Sequence, residues 1–228
     1  MPIVETKDLT KDYLHGRMTV PALRGVDLSI EAGEFTAVVG PSGSGKTTLL
    51  NLIGCLDRPT GGQILMDGKD VSGYSLTELA DLRRHKLGFI FQTYNLIPVL
   101  TAYENVELPL LLLGAQSNGE IKDKVMSALA EVGLSGLETR RPMDLSGGQQ
   151  QRVAIARALV KKPRLILADE ATANLDSENS EAILSLMQEL NQKMGTTFVF
   201  STHDPLVMKF ARRMVTMRDG KIVEDERR

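Results

Sequence analysis

The chain has 228 residues, of which 42% are hydrophobic and 25% charged, with a formal net charge of -2 and one cysteine. This composition is that of an ordinary globular protein and excludes a disordered, collagen-like or disulfide-stabilised chain. Without a net positive charge, broad electrostatic binding to nucleic acid or to an anionic membrane surface is also excluded. We therefore expect any partner to be recognised locally.

No secretory or membrane-spanning segment is expected. Residues 1–5 lack a charged region followed by an apolar stretch. The most apolar window, residues 106–115, contains Glu107 and Pro109 and is about half of the ~20 residues that a membrane helix needs. The lone Cys55 cannot form an internal disulfide, which agrees with a reducing compartment, and we expect it to be a small buried apolar residue.

The apolar pattern predicts strands of two kinds. Residues 26–31 alternate apolar and polar side chains, and residues 63–66 lie between turn signals, so both are expected in an antiparallel, partly exposed sheet. Residues 35–39, 165–168 and 197–200 are nearly continuous apolar runs. Such runs are typical of central strands in a parallel sheet that helices cover.

Helices are predicted between these strands. Residues 120–132 precede Gly133, and residues 176–194 precede Gly195, where a glycine ends a helix. Residues 214–223 predict a final hairpin that turns at Asp219-Gly220. The apolar faces of the two helices comprise Ile121, Val125, Leu129 and Val132 in the first, and Ile183, Leu186, Met187, Leu190 and Met194 in the second.

A phosphate-loop pattern follows the first central strand and precedes the helix-like residues 48–53. It reads Gly40, Pro41, Ser42, Gly43, Ser44, Gly45, Lys46 and Thr47. The glycines let backbone N–H groups approach phosphates, and the helix start adds partial positive charge. We expect Lys46 to reach the β- and γ-phosphates, Thr47 to bind Mg²⁺, and Thr48 to complete the nucleotide site. The alternative is a Gly/Ser turn with an incidental lysine.

Three candidate side chains lie where the central strands end. Because the carboxyl ends of parallel strands share one sheet edge, Asp169 and His203 are expected near the loop that begins at Gly40. Asp169 is the candidate Mg²⁺ ligand, and Glu170 is the candidate general base that orients or deprotonates water. His203 is expected to contact the γ-phosphate or hold the water. The alternatives are a solvated acidic loop and a structural histidine.

A second anion-binding helix start is predicted at Ser146-Gly147-Gly148. The segment from Leu145 to Arg152, LSGGQQQR, together with residues 153–159, resembles the signature of the ATP-binding-cassette (ABC) family. Its helix is expected to carry an apolar stripe and to stop at Pro163. In that family, two phosphate-binding surfaces in one chain imply a head-to-tail homodimer around two ATP molecules. The apolar stripe comprises Val153, Ala156, Leu159 and Val160.

The resemblance implies further roles. Gln92, which follows residues 88–91, matches the glutamine that senses Mg²⁺ and the γ-phosphate. Tyr13 matches the aromatic residue that stacks on adenine, with an ordinary strand tyrosine as the alternative. Gln149 continues the signature, and Asp176 ends the loop 173–176 that crosses the dimer interface. His203 matches the family's switch histidine. Ala171 stands where the family usually has proline, a departure that removes no functional side chain.

The fold that the resemblance implies is α/β, that of a P-loop NTPase in its ABC ATPase form. It has a RecA-like parallel-sheet core, an antiparallel β subdomain and a helical subdomain. We expect one domain, 1–228, with a core of residues 1–91 and 151–228. Residues 92–150 form the helical subdomain with the signature. ATP and Mg²⁺ are the implied cofactors.

Residues 91–98 and 100–110 look like the bacterial group that contains the lipoprotein-releasing ATPase LolD and the macrolide exporter MacB. This resemblance implies an FtsX-like membrane partner that holds the chain at the cytoplasmic face of the inner membrane, and no nucleic acid. Because the chain ends at Arg228 without membrane segments, a stand-alone arrangement as in LolD is expected. Residues 96–100 are expected either to receive the partner's cytoplasmic helix or to form subdomain core.

Two other functions stay open. One is the ATPase subunit of an amino-acid-type importer, whose motifs are nearly the same. The other is a soluble ABC ATPase that acts on ribosomes or DNA. The second is disfavoured because the sequence has one phosphate loop and only a short segment between Gln92 and Leu145.

Overall fold

The structure is a computed structural model that describes residues 2–16, 18–114 and 117–228. The strands are β1 Pro2–His15, β2 Met18–Glu31, β3 Phe35–Val39, β4 Gly61–Met66, β5 Lys69–Asp70, β6 Leu87–Phe91, β7 Leu165–Asp169, β8 Thr197–Thr202, β9 Arg213–Arg218 and β10 Lys221–Arg227. The helices are α1 Lys46–Ile53, α2 Leu76–Lys86, α3 Ala102–Leu113, α4 Asn118–Glu131, α5 Gly147–Leu159, α6 Ser177–Met194 and α7 Pro205–Phe210, with a 3₁₀ turn at Pro142–Asp144.

The larger sheet is parallel except at one edge. Its strand order is β10-β9-β3-β8-β7-β6. Among the described strands of this sheet, only β10 runs antiparallel to its neighbour, β9. The three predicted central strands are confirmed, and they lie side by side as β3, β8 and β7. Their side chains are almost all buried, and Phe35 packs on Phe198 and Phe200 with ring centroids 5.6 and 4.7 Å apart.

The smaller sheet is antiparallel, in the order β2-β1-β4-β5. The predicted strands 26–31 and 63–66 are confirmed as parts of β2 and β4. Inward-facing residues of both strands, including Val26 and Ile64, join α1 residues such as Leu49 in a buried cluster against one face of the larger sheet. A second buried cluster, which includes Val106, covers the opposite face with side chains from α3 to α6.

The two predicted helices are confirmed as α4 and α6. Gly195 ends α6 in the left-handed conformation with φ of 67°. On α6, Leu184 is fully buried while Leu186 is only partly buried, so the apolar face is rotated slightly from the predicted one. Helix α5 ends at Leu159, before the predicted stop at Pro163. Just beyond its end, the Nζ of Lys161 donates to carbonyls at the carboxyl end of α2.

Helix α5 also bears on the predicted subdivision of the chain. It runs without a break across residues 150 and 151, where the expected boundary lies. The predicted division into a core, residues 1–91 and 151–228, and a helical subdomain, residues 92–150, therefore stays a prediction. The two parts share one rigid helix, α5.

The described helices and Cys55 bear on the environment that the sequence predicts for the chain. No helix in the described ranges combines the length and apolarity needed to cross a bilayer. Most of the apolar window 106–115 belongs to α3, while Ala115 lies outside the described residues, as does Met1. Cys55 is buried as expected, and burial raises the pKa of its thiol to about 11.

Helix α3 starts from a capping box and anchors the preceding loop. The hydroxyl of Thr101 accepts from the N–H of Glu104, and the Glu104 carboxylate accepts from the N–H of Thr101. Asn105 is 1% exposed. Its Oδ1 accepts from the Ile97 N–H at 2.8 Å, and its Nδ2 donates to the carbonyls of Ile97, Leu100 and Thr101 at 2.9–3.2 Å. One side chain thus shapes residues 97–101.

We predict that Asn105→Leu lowers the free energy of unfolding by roughly 2–3 kcal/mol, because it removes the side-chain partners of the part-buried Ile97 N–H and Leu100 carbonyl. Urea unfolding followed by circular dichroism measures the change. Leu111→Ala, at an exposed position of the same helix, is the control and should change stability by less than about 0.5 kcal/mol. Equal losses in the two variants would contradict this account of Asn105.

Candidate active site at the carboxyl edge of the parallel sheet

The phosphate loop connects β3 to α1. Gly40, Gly43 and Gly45 have φ values of 148°, 79° and 102°, which side chains rarely adopt. A Cβ on Gly40 would lie 2.2 Å from the carbonyl oxygen of Met217. The Nζ of Lys46 donates to the carbonyls of Gly40 and Pro41 at 2.8 and 3.0 Å, so it lies across the loop. The loop conformation therefore requires its glycines.

Thr47 and Asp169 meet next to this loop. The hydroxyl of Thr47, in the first turn of α1, donates to Oδ1 of Asp169 at 3.3 Å. Asp169 ends β7 and pairs with Phe91, the last residue of the neighbouring strand β6. Gln92 therefore lies directly beyond the end of β6. The structure thus places two predicted metal ligands together and the third, Gln92, at the same sheet edge.

These oxygen groups fit Mg²⁺. The ion prefers oxygen ligands and takes one or two carboxylates or hydroxyls from the protein, with phosphates and water completing its shell. Within the described residues there is no group of three histidine, cysteine, aspartate or glutamate side chains that could hold a metal on its own. The hydroxyl of Ser44, inside the loop, is buried and has no hydrogen-bond partner. A polar ligand in the loop would satisfy it.

Glu170 lies directly beyond Asp169 and contacts His203. Its backbone has φ of 47°, and its N–H donates to the carbonyl of Ser201 at 2.9 Å. One carboxylate oxygen is 2.7 Å from Nδ1 of His203, and the other accepts from the hydroxyl of Thr202 at 3.3 Å. Glu170 and His203, together with Asp204 and the loop after β7, line a cavity of about 360 Å³.

The signature segment begins helix α5. The Oγ of Ser146 accepts from the Gln149 N–H at 3.3 Å, and the Gln149 side chain accepts from the Ser146 N–H at 3.0 Å, which forms a capping box. A Cβ on Gly148 would lie 2.8 Å from Oδ1 of Asn179, and one on Gly147 would lie 3.1 Å from the hydroxyl of Tyr94. The glycines therefore let this helix start approach the rest of the chain closely.

Tyr13 lies on β1 next to helix α1. Its ring is 39% exposed, its hydroxyl donates to Asp57 at 3.1 Å, and it also interacts with the side chain of Thr48. Partial burial is the largest cause that raises the pKa of this phenol. Lys11 lies over the ring with its Nζ 5.0 Å from the centroid. The tyrosine thus lies close to the phosphate-loop helix with an accessible ring.

Asp176 is the N-cap of α6. Its carboxylate accepts from the backbone N–H and from the side chain of Asn179, both at 2.8 Å. These bonds, the backbone one first, lower the pKa of Asp176. The loop 173–176 that precedes it contacts the residue after β6, because Asn174 Nδ2 donates to the carbonyl of Gln92 at 2.9 Å.

Sequence reasoning missed several residues that hold this site. Thr202 holds Glu170. Gln151, on α5, is fully buried and donates to the carbonyl of Ala171 at 2.6 Å, where the family usually has proline. A single polar residue just beyond a predicted strand, as Thr202, or inside a predicted helix, as Gln151, gives no pattern that marks it. Residues 96–100 proved to be mostly surface, since Ile97 is 37% and Val99 72% exposed.

The comparisons with known proteins agree on one family. A family model described as ABC transporter matches residues 23–173. The lipoprotein-releasing system ATP-binding protein LolD of Anaeromyxobacter dehalogenans is 47% identical, over 98% of this chain and 94% of that protein. The chain belongs to the ABC transporter family. It is an ATPase subunit of that family, as was predicted.

Two further relatives place this ABC ATPase within the family. The macrolide export ATP-binding/permease protein MacB of Marinobacter nauticus is 48% identical over 98% of the chain, which spans about a third (34%) of that longer protein. A dimeric structure of the cassette MJ0796 of Methanocaldococcus jannaschii in a post-hydrolysis state with ADP and Pi superposes with a TM-score of 0.90. It is 46% identical and covers 98% of both chains. The predicted ABC ATPase fold and the resemblance to LolD and MacB are confirmed.

We predict that Thr202→Val lowers steady-state ATP hydrolysis roughly tenfold, because valine keeps the shape but loses the hydroxyl contact to Glu170. Thr202→Ser is the control and should restore most of the rate. The melting temperature should change by only a few degrees in both variants. Unchanged turnover in folded Thr202→Val would show that this hydroxyl does not support Glu170.

Proposed function

We propose that this ABC ATPase works as a head-to-tail homodimer that binds two ATP molecules at its interface. Each nucleotide lies between the phosphate loop of one subunit, with Lys46, and the signature helix start of the other, with Ser146. The support is that one chain carries two glycine-rich helix starts, and helix N-termini favour phosphate groups. The dimeric MJ0796 structure has the same cassette fold. Asp176 and the loop before it would lie at the interface.

Hydrolysis in this proposal depends on the cluster at the carboxyl edge of the sheet. Thr47 and Asp169 would hold Mg²⁺, with the Gln92 amide as a further ligand, and the ion when bound neutralises charge on the phosphates. Glu170 orients the attacking water and accepts its proton. His203 holds the Glu170 carboxylate through Nδ1 and presents its other ring nitrogen for the γ-phosphate. Tyr13 stacks on the adenine, while Thr48 and Gln149 complete the nucleotide surroundings.

The observation that carries the proposal is the juxtaposition of four side chains. The hydroxyl of Thr47 is 3.3 Å from Asp169, and the adjacent Glu170 is 2.7 Å from His203. These groups come from α1, β7 and the end of β8, and they converge beside the phosphate loop. A metal ligand pair next to a histidine-held carboxylate can hold the ion at the phosphates and orient an attacking water.

We further propose that the ATPase cycle drives an integral membrane partner of FtsX type, as expected for a relative of LolD and MacB. This places the chain at the cytoplasmic face of the inner membrane through that partner only. The exposed apolar side chains of Ile97 and Val99 support a docking surface there, and Asn105 holds their loop in shape. Co-purification with an FtsX-like membrane protein that is co-expressed with this chain, and its loss in Val99→Asp, tests the assignment.

We predict that Glu170→Gln binds ATP and accumulates as a dimer while hydrolysis falls by about 10²–10⁴-fold, the usual contribution of a general base. Light scattering with and without ATP measures the dimer, and phosphate release measures the rate. Glu181→Gln, at an exposed position of α6, is the control and should behave as the unmodified protein. Near-normal hydrolysis by Glu170→Gln would rule out this role.

The composite site is tested by mixing two inactive variants. Lys46→Ala should lose ATP affinity in a titration with a fluorescent ATP analogue, and Ser146→Arg should block the signature surface. A heterodimer of the two contains one intact site, because Lys46 of one subunit faces Ser146 of the other. Mixing should therefore restore hydrolysis that neither variant shows alone. No recovery in a mixture that forms heterodimers would count against the sandwich.

A further inference from the structure

The turn between β9 and β10 lies against the back of the phosphate loop. The N–H of Gly220 donates to the carbonyl of Ser44 at 3.0 Å, and the carbonyl of Gly220 accepts from the N–H of Arg24 at 2.9 Å. The carbonyl of Met217, on the same hairpin, lies against Gly40. The carboxyl-terminal hairpin thus contacts the phosphate loop near both of its ends.

The hydrogen bond to Ser44 sets the direction of the next amide group. A trans peptide is planar, so its C=O and the following N–H point in opposite directions. Since Gly220 holds the Ser44 carbonyl on the hairpin side, the N–H of Gly45 points away from the hairpin. Loops of this type bind phosphate through N–H groups that point into the loop.

Close packing requires glycine both in the phosphate loop, at residue 45, and in the hairpin turn, at residue 220. A Cβ on Gly45 would lie 2.7 Å from the carbonyl oxygen of Ala22, and a Cβ on Gly220 would lie 2.8 Å from the same atom. Real Cβ atoms do not approach backbone oxygen atoms so closely. Any side chain at residue 220 must therefore displace the turn, the Ala22 strand or the loop.

We infer that Gly220 is a positioning residue of the nucleotide site: it holds the Ser44–Gly45 peptide so that the Gly45 N–H faces the phosphates. The inference rests on the proposed phosphate-binding role of the loop. It assigns to the carboxyl-terminal hairpin, which contributes no side chain to the site, a direct effect on nucleotide affinity.

The chain contains a matched control for this position. Asp67-Gly68 and Asp219-Gly220 are both two-residue hairpin turns, with φ values of 50° and 78° in the first and 49° and 78° in the second. A Cβ on Gly68 would meet no atom within 4 Å. Alanine therefore brings the same backbone strain to both turns, but only at Gly220 does its Cβ collide with a neighbouring strand, at Ala22 and Arg24 of β2.

The experiment compares Gly220→Ala with Gly68→Ala in the full-length chain. We expect Gly220→Ala to raise the Kd for a fluorescent ATP analogue and the KM for ATP by about three- to tenfold, the effect of losing one hydrogen bond. The rate at saturating ATP should change less than KM. Gly68→Ala should lower the melting temperature but leave both Kd and KM as in the unmodified protein.

A second pair of variants protects the test against misfolding. Asparagine tolerates the left-handed conformation better than alanine, so Gly220→Asn and Gly68→Asn are compared if Gly220→Ala does not fold. Equal ATP affinity in folded Gly220 and Gly68 variants would overturn the inference and leave the proposed function untouched. Unchanged affinity in Lys46→Ala would instead overturn the proposed role of the loop.

Discussion

The structure depends on the register of three parallel strands, β3, β8 and β7. Backbone pairing aligns Val38 with Ser201 and Ser201 with Asp169, so the chain leaves all three strands at one level of the sheet. The phosphate loop, Glu170 and His203 follow from that level. A shift of one strand by one residue would turn the Asp169 side chain to the opposite face of the sheet, away from Thr47. The buried aromatic contacts of Phe35 with Phe198 and Phe200 oppose such a shift.

A second set of contacts connects the signature helix with the catalytic loop inside one chain. Gln151 on α5 bonds the carbonyl of Ala171, and Asn174 bonds the carbonyl of Gln92. Both accepting carbonyls lie in loops, where regular secondary structure supplies no hydrogen-bond partner. The loops after β6 and β7 and the start of α5 therefore share one hydrogen-bonded environment, which would let a change at the proposed metal ligands affect the surface that is proposed to face a second subunit.

Much of this architecture could be predicted because its signals are local. Continuous apolar runs identified β3, β7 and β8, and the glycine-rich loop needed only its own residues and their flanks. Helix α3 was not predicted, although the capping box of Thr101 and Glu104 marks its start. Leu186 was assigned to the apolar face ahead of Leu184, because helical spacing alone does not fix the rotation of a helix on its core. Thr202, Gln151 and Gly220 act through contacts across 20 to 180 residues of sequence, and no spacing rule reveals them.

The continuity of α5 has a mechanical consequence. An α-helix kinks sharply only where its internal hydrogen bonds are disturbed. Ser146 at the signature end and Leu159 at the other end of α5 therefore move together as one rigid element. The far end is fixed to α2 by Lys161, whose pKa is lowered to about 8 by burial. A movement of the signature end relative to α2 would then turn about the region near Lys161. In the proposed dimer, the Leu159 end would therefore be the fixed end of the helix, and Ser146 would be the end that moves against the nucleotide of the second subunit.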